Sequence, residues 1–241
     1  SVIYYPDELG EIDVDRSVPL GRKNPNGMAI ILATEYFEDS NYPPLEYAGR
    51  DRDVVRMYFN QAFGLSDFQL LPSKSWQMDG GPTGDDLRNI FDPHQGDLRK
   101  RIITAEKYSG VEEMDIFLYY RGYGEWVQGK PLLIPRDASF ERHVSKFPLE
   151  MLIDNLSQLT VLSNIKTITL FLDITYVNPE SSKGSLWDFP KLPDKICILS
   201  ASSNGETSQI DTEKKHSFYT YAFLKGLAGG ADDGDNVIEL G

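Results

Sequence analysis

Two hydrophobic periodicities alternate along the chain. Residues 28–34 (MAIILAT) form a continuous apolar run. Residues 68–71, 115–120 (DIFLYY), 167–172 (TITLFL) and 195–199 (KICIL) form four more. Short apolar runs without polar alternation predict strands covered on both faces. Between them the spacing becomes helical. Over residues 47–63, Val54, Val55, Tyr58, Phe59 and Phe63 recur at helical intervals, and Gly64 closes the element. Residues 83–108 read as helix with a break near Pro93. Over residues 147–162, Leu149, Leu152, Ile153, Leu156 and Leu159 share one face. A last helix is expected over 216–227, closed by Gly229 and Gly230. This alternation predicts an α/β sandwich with a mostly parallel central sheet. Gln128-Gly129-Lys130 marks a hairpin inserted before PLLIP. Residues 1–27 lack any period and read as an N-terminal arm, with 28–241 as the domain.

Composition removes several function classes. There are 37 acidic and 24 basic side chains, a net charge of −13, one cysteine and three histidines. One cysteine makes no intrachain disulfide, and four scattered Cys and His residues make no zinc finger. An acidic chain repels phosphate backbones, so no nucleic-acid partner is expected. The longest apolar runs, about eight residues, fall far short of the roughly 20 needed to span a bilayer. No cofactor or metal is implied. The C-terminal GGADDGDNVIELG misses the EF-hand spacing and reads as a solvated acidic turn. Asp85-Asp86 and Asp51-Arg52-Asp53 read as helix N-terminal charges.

In open α/β sheets, sites lie beyond the carboxyl ends of the strands. Three segments follow such ends: YYRGYGEW at 119–126, LDITYVN at 172–178 and SASSNGETSQID at 200–211. With these segments the chain resembles the caspase-like cysteine peptidases, in particular their prokaryotic and metacaspase-like branch. That family carries Y-x-S-G-H-G after one strand, with His as general base, and D-A-C-x-x-G after the next, with Cys as nucleophile. PLEYAGRDRDVVRMYF, GKPLLIPRDAS and ILSASSNGETS followed by KKHSFYTYAFLKGL resemble its first-helix entry, its hairpin, and its last strand and helix. The resemblance spans about residues 28–241 and implies the caspase-like α/β/α sandwich. Relatives continue where this chain stops, so a longer natural protein is expected.

The departures fall on the chemistry. Tyr123 stands at the position of the general base and Thr175 at that of the nucleophile. Arg121 replaces the Ser before Gly-His, Ile174 the small residue before the Cys, and Val177-Asn178 the residues after it. A phenol with an unperturbed pKa near 10 is a poor base at neutral pH. An internal threonine lacks the free amine that activates N-terminal threonine nucleophiles. Cys197 falls in an apolar strand and is expected in the core. His216 reads as a helix-start packing residue, and His94 and His143 as surface residues. The expected function is therefore that of an inactive, pseudopeptidase domain with a binding, scaffolding or regulatory role.

The resemblance also implies features that survive. Asp173 keeps the position that in metacaspase-like members lines a pocket for a basic side chain, with Glu206 and Asp211 as candidate partners. Three readings stay open: a pocket that still holds basic peptides, a carboxylate that caps local backbone, or an ion pair in which Arg121 fills the old site. Gly122 and Gly124 match an oxyanion-hole turn; a backbone turn that needs glycine is the plainer reading. A hydrolase of another class, built on Asp173, Glu206 and Tyr123, is the remaining alternative. Trp76, Trp126 and Trp187 fall in expected loops. The partner would be a protein or peptide, including a second copy or an active paralogue joined through the sheet edge.

Overall fold

The computed structural model describes residues 13–73, 80–162, 164–177, 192–201 and 209–230. Five parallel strands form the body of one sheet: β1 (Gly27–Ala33), β2 (Leu70–Leu71), β3 (Met114–Val127), β6 (Ile165–Tyr176) and β7 (Ile196–Ser200). Two short antiparallel strands, β4 (Lys130–Leu133) and β5 (Phe147–Pro148), extend the far half of β3. A small hairpin, β8 (Ile210–Asp211) with β9 (His216–Ser217), stands apart from the sheet. The expected mostly parallel α/β sandwich is what the chain forms.

Helices cover both faces. Helix α1 (Ala48–Gln61) and helix α5 (Phe218–Lys225) pack on one. There Val55, Tyr58 and Phe59 meet Tyr119 and Phe171 of the strands and Leu224 of α5. Helices α2 (Gly84–Phe91), α3 (Asp97–Ser109) and α4 (Leu149–Leu159) cover the other. Their Leu87, Ile90, Ile102 and Leu156 pack with Ile116, Leu118, Ile168 and Leu170. This alternation of β3 and β6 side chains between two apolar layers explains why both strands read as unbroken apolar runs. The Thr83–Asp86 capping box starts α2, so Asp85 and Asp86 are helix N-terminal charges as expected. The expected hairpin turn forms at Gln128 and Gly129, both at positive φ, the geometry a two-residue turn needs to match strand twist.

Several boundaries move, with consequences for the site. Strand β3 does not stop at Tyr120 but runs on to Val127, and β6 passes Leu172 to reach Tyr176. Their ladder stays in register from Arg121↔Asp173 through Gly124↔Tyr176. The motifs expected on loops beyond the strand ends are thus inside the sheet. Trp126, expected in a loop, is a buried strand residue against Tyr176; Trp76 and Trp187 lie outside the described residues. Residues 13–26 of the expected arm lie against the domain. Val14 is buried in the α1 cluster, and Gly21 and Asn24 donate backbone hydrogen bonds to Gln61 and Gly64. Among the described residues no helix is long and apolar enough to cross a membrane.

Candidate functional site

Arg121 is the centre of the site. It is fully buried, on the α1 face of β3. Its Nη1 donates to Asp173 Oδ2 at 2.8 Å, its Nε lies 2.7 Å from Asp51 Oδ2, and its Nη2 donates to the Glu46 carbonyl at 3.3 Å. Burial opposes the charge, but Asp173 and Asp51 outweigh it and hold the guanidinium pKa above its ordinary value. Register places Asp173 directly across the ladder from Arg121.

Both carboxylates are also held from elsewhere. Asp173 Oδ2 accepts from the Ser217 hydroxyl and from Thr220 Oγ1 at 3.1 Å. Ser217 Oγ in turn caps α5 by accepting from the Thr220 amide, and Tyr119 Oη shares a 2.6 Å bond with Thr220 Oγ1. Asp51 Oδ1 lies 2.5 Å from His216 Nδ1, and its Oδ2 accepts from the Ser217 amide. His216 Nε2 lies 3.1 Å from Asp15 Oδ1, and Asp15 pairs with Arg50. Charged and polar groups follow one another along one line, from Arg50 through Asp15, His216, Asp51 and Arg121 to Asp173. Burial raises the Asp51 pKa, against the opposing pull of His216 and Arg121.

The two positions expected for base and nucleophile, Tyr123 and Thr175, face each other across the ladder. Tyr123 and Thr175 are register partners one step beyond Ile174. Tyr123 is buried among aromatics, 5.2 Å from the Phe37 ring and 6.4 Å from the Tyr42 ring. Burial raises its pKa, which makes it a still poorer base. Thr175 is half-buried. Cys197 pairs with Thr169, six positions before Thr175 on the neighbouring strand. At about 3.3 Å per residue that places it roughly 20 Å from Thr175.

The other sequence expectations divide. The Arg121–Asp173 ion pair is present. The acidic pocket awaiting a partner's basic side chain is not: Asp173 has no exposed surface, and the arginine it holds is the protein's own. Asp211 turns its carboxylate to the Glu213 and Lys214 amides, closing the β8–β9 turn. Glu206 and the C-terminal acidic segment lie outside the described residues. Gly122 and Gly124 make no turn. They lie inside β3 at ordinary φ, and added Cβ atoms would meet Tyr120 Oη at 2.6 Å and Ile174 Cγ2 at 2.5 Å. Glycine is required there by rings and methyls packed over the backbone, which replaces the oxyanion-turn reading. His216 precedes α5, in β9, and does pack and hydrogen-bond. His94 and His143 are exposed. Cys197 is exposed, not in the core, because β7 is paired on one side only among the described residues. Among the described residues no group of His, Cys, Asp and Glu is arranged to hold a metal.

Asp15, Ser217 and Thr220 were not singled out from the sequence, and Asp51, expected as a helix N-terminal charge, does lie in the first turn of α1 but is buried against Arg121 and His216. One signal pointed to Asp51. It falls in phase with Val54, Val55 and Tyr58, on the buried face of α1, where a carboxylate needs a buried partner.

Solved structures show the same arrangement of sheet and helices. Caspase-1 from Spodoptera frugiperda superposes with a TM-score of 0.50 at 16% identity, over 93% of this chain and 79% of that one. The fold is caspase-like. The Drosophila initiator caspase Dronc matches with a TM-score of 0.47 at 13% identity, over 95% of this chain and 76% of that one. At such identities the likeness is one of fold alone. No protein-family model matches the chain, and no curated protein matches it in sequence.

Proposed function

We propose that the chain is a catalytically inactive caspase-like domain, a pseudopeptidase whose role is binding or regulation. The observation that carries this reading is Arg121. Its guanidinium sits between Asp51 and Asp173, inside the ladder that leads to Tyr123 and Thr175. An internal cation there removes the carboxylate that a basic substrate side chain would need. A phenol packed among rings and an unactivated hydroxyl then stand in for base and nucleophile. Losing either member of a nucleophile–base unit removes several powers of ten in rate.

The partner is a protein or a second copy of the chain. Strand β7 supports this, since one of its edges is unpaired among the described residues and its Cys197 is exposed. Incubation with fluorogenic peptides carrying Arg, Lys or Asp at the cleaved bond tests the inactive state. No turnover above buffer is expected. Turnover that disappears in Thr175→Ala overturns the proposal.

A further inference from the structure

His216 is held between two carboxylates from distant parts of the chain. Its Nδ1 lies 2.5 Å from Asp51 Oδ1 on α1, and its Nε2 lies 3.1 Å from Asp15 Oδ1, ahead of the sheet. We infer that this bridge is a proton-operated clasp. It fastens residues 13–18 to the domain when both of its nitrogen–carboxylate lines carry a proton, and it releases them as pH rises. The inference goes beyond the binding role proposed above and does not depend on the inactive state of the domain.

Counting protons carries it. An ionised carboxylate only accepts, so two lines from one imidazole to two carboxylates need two protons. A neutral imidazole brings one N–H. When the second proton leaves, one carboxylate faces a bare nitrogen lone pair. Asp51 is fully buried, out of reach of water, while the Asp15 side chain is 25% exposed. The remaining proton therefore stays on the Asp51 line, where an unpaired carboxylate would cost most. The Asp15 line turns repulsive, and water takes up that carboxylate. The protonated bridge thus favours the fastened state at low pH, and its contribution is lost as pH rises.

Little else fastens the segment. Among the described residues its backbone hydrogen bonds are internal, with the Arg16 and Ser17 amides donating to the Asp13 carbonyl. The first bond to the body is that of the Gly21 amide to Gln61. Val14 and Val18 pack on the cluster around Tyr58 and Phe59. Asp15 also pairs with Arg50, whose side chain is 43% exposed, so water weakens that pair. Release would bare the place of Val14 in the cluster and open one wall of a cavity of about 350 Å³ that the segment lines with Arg50 and the β8–β9 turn. Other ionisable groups surround the bridge. Asp13 lies on the segment, Tyr58 on α1 and Tyr221 on α5. The hairpin brings Asp211, which is the register partner of His216, with Glu213, Lys214 and Lys215. Arg121 and Asp173 stand beyond Asp51.

The test uses the full chain with Cys197→Ser and Ser17→Cys, a fluorophore on the new thiol, and anisotropy at pH 5.5 and 9.5. These values bracket the range of about pH 5 to 8 in which imidazoles change charge. Circular dichroism checks the fold at both. The anisotropy is expected to fall at pH 9.5 to the level that Asp15→Ala shows at both pH values. Asp15→Asn separates the bridge from its neighbours. Its amide can donate to the bare Nε2, so the segment is expected to stay fastened at pH 9.5. The His216 ring ¹⁵N shifts, assigned with His94→Gln and His143→Gln, are expected to move in step with the anisotropy. Equal anisotropy at the two pH values overturns the inference. So does an equal fall in Asp15→Asn, since another group would then be the sensor, and so do His216 ring shifts that stay constant while the anisotropy falls.

Discussion

Arg121 and Asp173 are register partners on neighbouring parallel strands, and their side chains close a 2.8 Å ion pair with no access to solvent. The same arginine reaches Asp51 on α1. One planar cation thus joins two strands of the sheet to the helix above them, a task its forked donors perform and a lysine's single ammonium does not.

Arg121→Met is expected to cost about 3–5 kcal/mol, because it leaves two buried carboxylates without their cation. Arg121→Met combined with Asp173→Asn is expected to cost clearly less than the sum of the two single changes, by about 1 kcal/mol or more. Urea denaturation of the four proteins measures this. Strict additivity would mean that the pair does not act as a unit.

Gly124→Ala is expected to destabilise by about 1–3 kcal/mol, as overpacking does in a filled core. The new methyl meets Ile174 Cγ2 at 2.5 Å and Tyr176 Cε1 at 2.8 Å. A thermal shift is the direct readout, and an unchanged melting temperature would contradict the close packing of Tyr176 over β3.

Two surface aspartates set part of the acid limb of stability. Asp39 accepts the Phe140 and Asn41 amides, and Asp92 accepts those of Gln95 and His94; these bonds lower both pKa values below the ordinary 3.8. A carboxyl whose folded pKa is depressed stabilises the fold above its unfolded pKa. That contribution is lost as pH falls through the folded value. Asp39→Ala and Asp92→Ala should therefore weaken the protein at pH 7 and converge on the unaltered chain as pH falls through the folded carboxyl values, below the ordinary 3.8. Denaturation midpoints at pH 7, 5 and 3 check this; a penalty as large at pH 3 as at pH 7 would refute it.

Cys197 is exposed on β7. A thiol-specific chromogenic reagent is expected to label one thiol per chain without denaturant. If β7 is the surface through which copies pair, labelling should slow as protein concentration rises. Labelling that requires unfolding at every concentration would place the thiol in the core.

The architecture was legible because long periodic segments carry it. The stripe on α4 and the apolar runs of β1 and β6 admit few other arrangements. What failed to show was how far β3 and β6 continue. Arg121, Gly122, Tyr123 and Gly124 look like a loop by composition, since charge and glycine are rare in buried strands. They hold a strand because Asp51 and Asp173 neutralise the arginine, and because Tyr120 and Tyr176 fill the space the glycines leave. Neither compensation is local in sequence. Cys197 misled for a related reason: a run such as KICIL has the same composition at a sheet's edge as at its centre.

The charge line ties distant parts of the chain together: Asp173 follows Arg121 by 52 positions, and His216 follows Asp51 by 165. At a synthesis rate of about 5–20 residues per second, Asp51 leaves the ribosome roughly ten to thirty seconds before His216 does. Until the helix carrying Ser217 and Thr220 arrives, Asp51 and Asp173 have Arg121 but lack the partners that the later segment supplies. Completion of the sandwich therefore waits for a segment translated well after the strands, and chains cut short before Ser217 are expected to be substrates for chaperones and proteases.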